Sequence, residues 1–170
     1  DSWWREVFLL MYGFAKMDHE DFANEYLAWL SSLPGGAETT LSGLELAGSA
    51  LLEIEKPKQT LKENQADKLS QCLFNSPLQV SANLRVRSAD TLSRLGDPRP
   101  EVMTLGKMQF CYVPQGEFMM GSDKQQDAVE YEFPQTTLSL PGYYISRFPV
   151  THAQFNVFLQ EQGYEKEGYW

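Results

Sequence analysis

The sequence predicts an α+β fold made of two consecutive parts, helices first and strands after. Three observations carry this. Residues 2–95 hold five apolar stripes at three- and four-residue spacing, separated by turn and capping residues. The segment 97–103, with Pro98 and Pro100, then interrupts the pattern. From Phe110 onward the apolar period shortens to two, as Phe110, Tyr112, Phe118 and Met120 show. With 170 residues the chain suffices for one ordinary domain or two small ones. The expected division is a helical hairpin array at 1–96, a linker at 97–103 and a strand-bearing part at 104–170.

The first predicted helix is 2–17, where Trp3, Trp4, Val7, Phe8, Met11 and Phe14 recur at three and four. A helix apolar on most sides is buried or packs on a further surface. Asp18 is placed to cap a second helix, with Glu20 and Asp21 in its first turn and Phe22, Ala23, Tyr26, Leu27 and Leu30 as its stripe. Leu33-Pro34-Gly35-Gly36 ends it. A third helix is expected from about Ser42 to Ile54, with Ser42 and Glu45 as a capping box and Leu44, Ala47, Leu51 and Ile54 as its face. Pro57 breaks it, and a fourth starts at Thr60 with Glu63 as box partner, carrying Ala66, Leu69 and Leu73. Ser76-Pro77-Leu78-Gln79 reads as a capping box with proline at the first helical position. The fifth helix runs from there to Leu95 and ends at Gly96. Helical hairpins of this kind bury their faces only against neighbours.

Beyond the linker, Gly116 stands between two alternating stretches, where a tight turn would use a residue tolerant of positive φ. Pro149 is expected to stop a strand running from Tyr143 to Phe148, because its nitrogen cannot donate to a ladder. Thr151 and Gln154 form a capping box, and Phe155, Phe158 and Leu159 one helix face.

Composition excludes several classes. Hydrophobic residues make up 42% and charged residues 22%, a globular mixture. A net charge of −9 argues against nucleic acid and against an anionic membrane surface. No apolar run reaches membrane-spanning length and no signal-peptide pattern opens the chain. Asp1 in place of an initiator methionine reads as an internal cut in a longer protein. Cys72 and Cys111 read as buried core positions rather than a disulfide, and the expected compartment is the reducing cytoplasm.

The order of pieces from Val113 to Trp170 resembles the opening of the formylglycine-generating-enzyme, or sulfatase-modifying-factor, domain. The matching residues are Val113, Pro114, Gly116, Phe118, Met120, Gly121, Ser122, Glu132, Pro134, Tyr144, Ile145, Pro149, Val150, Thr151, Gln154, Phe155, Gly163, Tyr164, Tyr169 and Trp170. His152 departs from the family's usual asparagine. The resemblance implies an irregular α+β fold related to C-type lectins, of which residues 104–170 supply an incomplete opening part. It assigns Pro114, Gly116, Phe118, Met120, Gly121, Glu132, Pro134, Pro149, Thr151, Gln154 and Phe155 structural roles. The helices at 60–95 resemble a HEAT-like or tetratricopeptide-like hairpin, and W-R-E-V-F-L-L-M-Y-G-F-A resembles helical regions of bacterial signalling NTPases of the STAND type. No P-loop is present in the chain.

Two functions follow from these resemblances. The first is a fragment of a bacterial multidomain signalling or defence protein, acting as a ligand-sensing or partner-binding module without catalysis or cofactor of its own. Its partner would be a chain or segment completing the second domain, or a second copy. The alternative is part of a formylglycine-generating-type oxidase or a non-haem iron sulfoxide-forming enzyme whose active residues lie beyond residue 170. A cysteine pair there would indicate the copper-dependent oxidase, and a histidine triad would indicate iron.

Individual residues give no catalytic or metal site. Cys111 alternates with Phe110 and Tyr112 as a strand residue without a neighbouring histidine. Asp123, Asp127, Glu130 and Glu132 lack the spacing of a calcium loop and read as a solvated acidic loop, with Glu132 anchoring it to backbone amides. His19 reads as a first-turn helix residue and His152 sits just inside a capped helix, neither with a second ligand at metal spacing. Tyr143, Tyr144, Tyr164, Tyr169 and Trp170 read as core and lid aromatics.

Overall fold

In the computed structural model, residues 2–75, 80–123 and 129–169 are described, and the chain divides into a unit at Asp1–Arg99 and a unit at Pro100–Trp170. The first unit holds α1 (Ser2–Asp18), α2 (Glu20–Leu30), α3 (Ala37–Leu52), α4 (Gln59–Asn75) and α5 (Ala82–Leu95). The second holds α6 (Pro100–Met103), β1 (Phe110–Val113), β2 (Gly116–Met120), β3 (Thr136–Leu140), β4 (Tyr143–Ser146) and α7 (His152–Gln160). Segment 97–103, expected as a linker, therefore contains a one-turn helix.

Helix α3 is the hub of the first unit and packs against the other four helices. A helix surrounded on all sides needs small residues where its neighbours come close. Gly43 abuts the Leu30 carbonyl, and a Cβ on Gly48 would lie 2.8 Å from Thr91 Cγ2. Around this axis Tyr12, Leu30, Leu41, Leu51, Leu69 and Leu92 are fully buried.

The helix starts depart from expectation in instructive ways. Asp18 is the last residue of α1, and the cap position of α2, expected there, falls on His19, without a side-chain bond. The two helices meet across that single residue, whose amide donates to Ala15 and whose carbonyl accepts from Ala23. Helix α3 starts five residues before Ser42, as soon as the Pro34-Gly35-Gly36 turn allows, with Gly36 at the N-cap. The S-x-x-E pattern at Ser42 thus falls inside a helix, and Glu45 is buried rather than capping. Glu63 accepts from the Gln59 side chain one residue before the expected start of α4. The box at Ser76–Gln79 lies outside the described residues; Ser81 precedes α5, and its amide and hydroxyl both donate to Glu38 at 2.8 and 2.6 Å.

In the second unit the strands form two separate antiparallel ribbons. β1 pairs with β4, and β2 with β3, so the inner ribbon is inserted between the strands of the outer one. The tight turn expected at Gly116 is therefore absent. Gly116 opens β2, does not take a positive φ, and lies across from Leu140. β4 ends at Ser146 rather than Phe148. The chain bends ahead of Pro149, with the Ser146 hydroxyl donating to the Phe148 carbonyl, as pre-proline sterics and a short serine side chain favour.

Candidate functional site

The motif residues of the second unit build two clasps and an aromatic stack. The first clasp is at Thr151 and Gln154. The capping box forms: the Gln154 amide donates to Thr151 Oγ1 at 3.3 Å, and the Thr151 amide donates to Gln154 Oε1 at 3.1 Å. Each side chain then makes a second bond outside α7. Thr151 Oγ1 donates to the Val102 carbonyl at 2.6 Å, and Gln154 Nε2 donates to the Glu101 carbonyl at 3.0 Å. The start of α7 is thus sewn to the orphan carbonyls of α6. Gln154 and Val102 are buried, in a unit where nearly every other described side chain is not. Sequence reading found the box but not its second role, because Glu101 and Val102 lie in the stretch assigned to a linker.

The second clasp closes the loop between β2 and β3. Gly121 has φ +86, and a Cβ there would stand 2.6 Å from the Glu132 carbonyl oxygen and 3.1 Å from that of Pro134. Ser122 donates from its amide to the Glu132 carbonyl at 2.9 Å and from its hydroxyl to Glu132 Oε2 at 3.0 Å. The Phe133–Pro134 peptide bond is cis. Glu132 thus holds Ser122 through a hydroxyl as well as an amide, its carboxylate taking the hydroxyl. Asp127 of the acidic loop lies outside the described residues.

Aromatic contacts finish the frame. Phe155 stacks on Phe158 at 5.6 Å, and Phe158 meets Tyr164 edge-on at 5.0 Å. Gly163 lies directly against the Phe158 ring, leaving no room for a Cβ. Tyr112 and Tyr144 are cross-strand partners with rings 5.2 Å apart.

The register decides what the ribbons present. On β2–β3, Phe118, Met120, Leu138 and Leu140 share one face, while Glu117, Met119, Thr137 and Ser139 share the other. On β1–β4, Phe110, Tyr112, Tyr144 and Ser146 share one face, and Cys111, Val113, Tyr143 and Ile145 share the opposite one. Both faces of that ribbon are apolar, and the large side chains among them are mostly exposed.

Cys72 and Cys111 are free thiols in different units, and burial pushes the Cys72 thiol up from its ordinary value. His19 is in the first unit and His152 in the second. Among the described residues no group of three His, Cys, Asp or Glu could hold a metal ion, and no helix is long and apolar enough to cross a membrane.

Residues 98–170 match the model of the sulfatase-modifying factor enzyme 1-like domain. Residues 98–170 are thus of the formylglycine-generating-enzyme type. The chain is 27% identical over 130 residues to the formylglycine-generating enzyme of Mus musculus, covering 72% of this chain and 32% of that protein. It is 32% identical over 89 residues to the hercynine oxygenase of Mycolicibacterium smegmatis (strain ATCC 700084 / mc(2)155), covering 51% of this chain and 21% of that protein. The chain thus spans about a third and about a fifth of the lengths of these relatives. No solved structure matches it.

Proposed function

We propose that residues 100–170 are the framing part of a formylglycine-generating-type oxidative domain, and that the chain's own residues position that domain rather than carry out its chemistry. The name of the second relative, a hercynine oxygenase, supports the oxidative reading. The observation that carries the framing role is the β1–β4 ribbon, apolar on both faces. A ribbon of that kind belongs in the interior of a sheet covered on both sides. Its cover is proposed to be a further segment of such a domain, in the lectin-related wrapping that the family resemblance implies.

The metal groups that the resemblance implies do not fit these residues. A copper-binding cysteine pair would need two thiols, and residues 100–170 hold a single cysteine, Cys111. An iron triad would need three histidines, and the chain has two. The site residues here therefore act structurally: Thr151 and Gln154 seat α7, and Gly121 with Glu132 shapes the β2–β3 loop.

The second reading keeps the same surface and changes its use, to a partner-binding module of a bacterial signalling or defence protein. Exposed apolar faces serve either purpose.

Dye binding and metal retention test the proposal together. The full chain should bind an apolar fluorescent dye, and Tyr112→Asp on one face of the ribbon or Ile145→Asp on the other should each remove part of the signal. After dialysis against a weak chelator it should hold neither copper nor iron. Dye binding unchanged in both variants, or stoichiometric metal retained, would overturn the proposal.

A further inference from the structure

The outward side of α1 is not accounted for by the fold of its own unit. Leu9, Tyr12 and Ala15 face inward and are buried. On the other side Trp3, Val7, Leu10, Phe14 and Met17 follow one another at steps of four and three, the spacing of a coiled-coil seam. Trp3 is 72% exposed, Trp4 59%, Leu10 69%, Phe14 75% and Met17 82%. The two cations of the helix are engaged away from this seam. Arg5 pairs with Glu45 at 2.9 Å, and Lys16 with Glu20 at 2.8 Å.

We infer that this face pairs with α1 of a second copy of the chain, the two helices running antiparallel about a twofold axis. The area fits. At about 200 Å² for each fully exposed large side chain, Trp3, Trp4, Leu10, Phe14 and Met17 leave on the order of 700 Å² in water, and standard interfaces bury about 800 Å² per partner. The order of residues fits as well. An antiparallel register places Trp3 against Phe14 and Val7 against Leu10, each pair occurring twice by symmetry. The helix dipoles then oppose head to tail. The seam positions themselves carry no charged residue. Glu6 and Glu53 rim the adjoining groove, and they disfavour an anionic lipid surface as the alternative occupant.

Sedimentation of the full chain at micromolar concentrations tests the pairing. A dimer is expected, with Leu10→Glu and Phe14→Glu each weakening it at least tenfold while leaving helix content unchanged, since both side chains project outward. Ile145→Asp in the second unit should leave it intact. Cross-linking in a Cys72→Ser, Cys111→Ser background tests the direction. Trp3→Cys mixed with Phe14→Cys should form a disulfide, and neither alone should, because like positions stand about 16 Å apart in the antiparallel register. A monomer, a dimer insensitive to both glutamates, cross-linking of Trp3→Cys with itself, or a monomer that floats with phosphatidylcholine vesicles would each overturn the inference.

Discussion

Removing the carboxylate of Glu45 should be among the most damaging single changes in the helical unit. Its side chain is fully buried at the centre of α3. Oε1 accepts from Arg5 Nη2 at 2.9 Å, from Ser49 Oγ at 2.8 Å and from Thr91 Oγ1 at 3.3 Å, and Oε2 lies 3.3 Å from Arg87 Nε. One carboxylate thus joins α1, α3 and α5. Glu45→Ala takes the buried anion from the partly buried Arg5 guanidinium and leaves it only the exposed Glu6 carboxylate, 3.7 Å away. Breaking a buried pair from one side costs about 3–5 kcal/mol, against a total stability of about 5–15 kcal/mol for a domain. Arg87 is nearly half exposed, so Arg87→Ala should cost only about 0–1 kcal/mol. Glu45→Gln, which keeps an acceptor and the volume, should fall between. Urea unfolding followed by far-ultraviolet circular dichroism reads all three, with an unchanged m-value as the check on two-state behaviour. A Glu45→Ala midpoint corresponding to less than 1 kcal/mol of loss, or equal losses for Glu45→Ala and Arg87→Ala, would refute the reasoning.

Three further outcomes are expected. Gln154→Ala removes the side-chain bonds to the Thr151 amide and the Glu101 carbonyl and should destabilise the second unit by about 1–3 kcal/mol, seen as faster hydrogen exchange in α7. Gly163→Ala should cost a similar amount, about 1–3 kcal/mol, by driving a methyl into the Phe158 ring, and the ring shifts of Phe158 and Tyr164 in NMR spectra would report it. Glu20, hydrogen-bonded by Lys16 and Lys58, has its pKa lowered from 4.5 to about 2. A folded pKa below the unfolded value gives a contribution that is complete above about pH 5 and lost as pH falls toward 2. An NMR titration should place Glu20 well below a free glutamate, and Lys58→Ala should bring it back up.

Much of the helical unit was legible because burial follows the three-and-four spacing, as at Tyr26, Leu27 and Leu30 or at Ala66, Leu69 and Leu73. Helix starts were not. Capping patterns are local and recur inside helices, so Ser42-x-x-Glu45 looked like a start, while tertiary packing gave Glu45 two arginines instead. On α1 the periodicity showed an apolar helix but not which side its own unit would cover. In the second unit the order of motif residues identified the domain type. It could not show pairing, because β1 finds its partner about thirty residues later across an inserted ribbon, and no local turn signal marks a contact at that range. The Thr151–Gln154 box was readable in full, whereas its hold on Glu101 and Val102 depends on residues some fifty positions away.

Hydrogen exchange on the whole chain, kept dilute enough to be monomeric, tests the central claim most directly. Strands β1 to β4 frame a domain that needs a cover, so their amides should exchange fast, while those of Leu41 to Leu51 in α3 should be protected close to the level of global unfolding. Slow exchange across β1 and β4, matching that of α3 in a monomer, would show that the ribbons close their own core and would contradict the account.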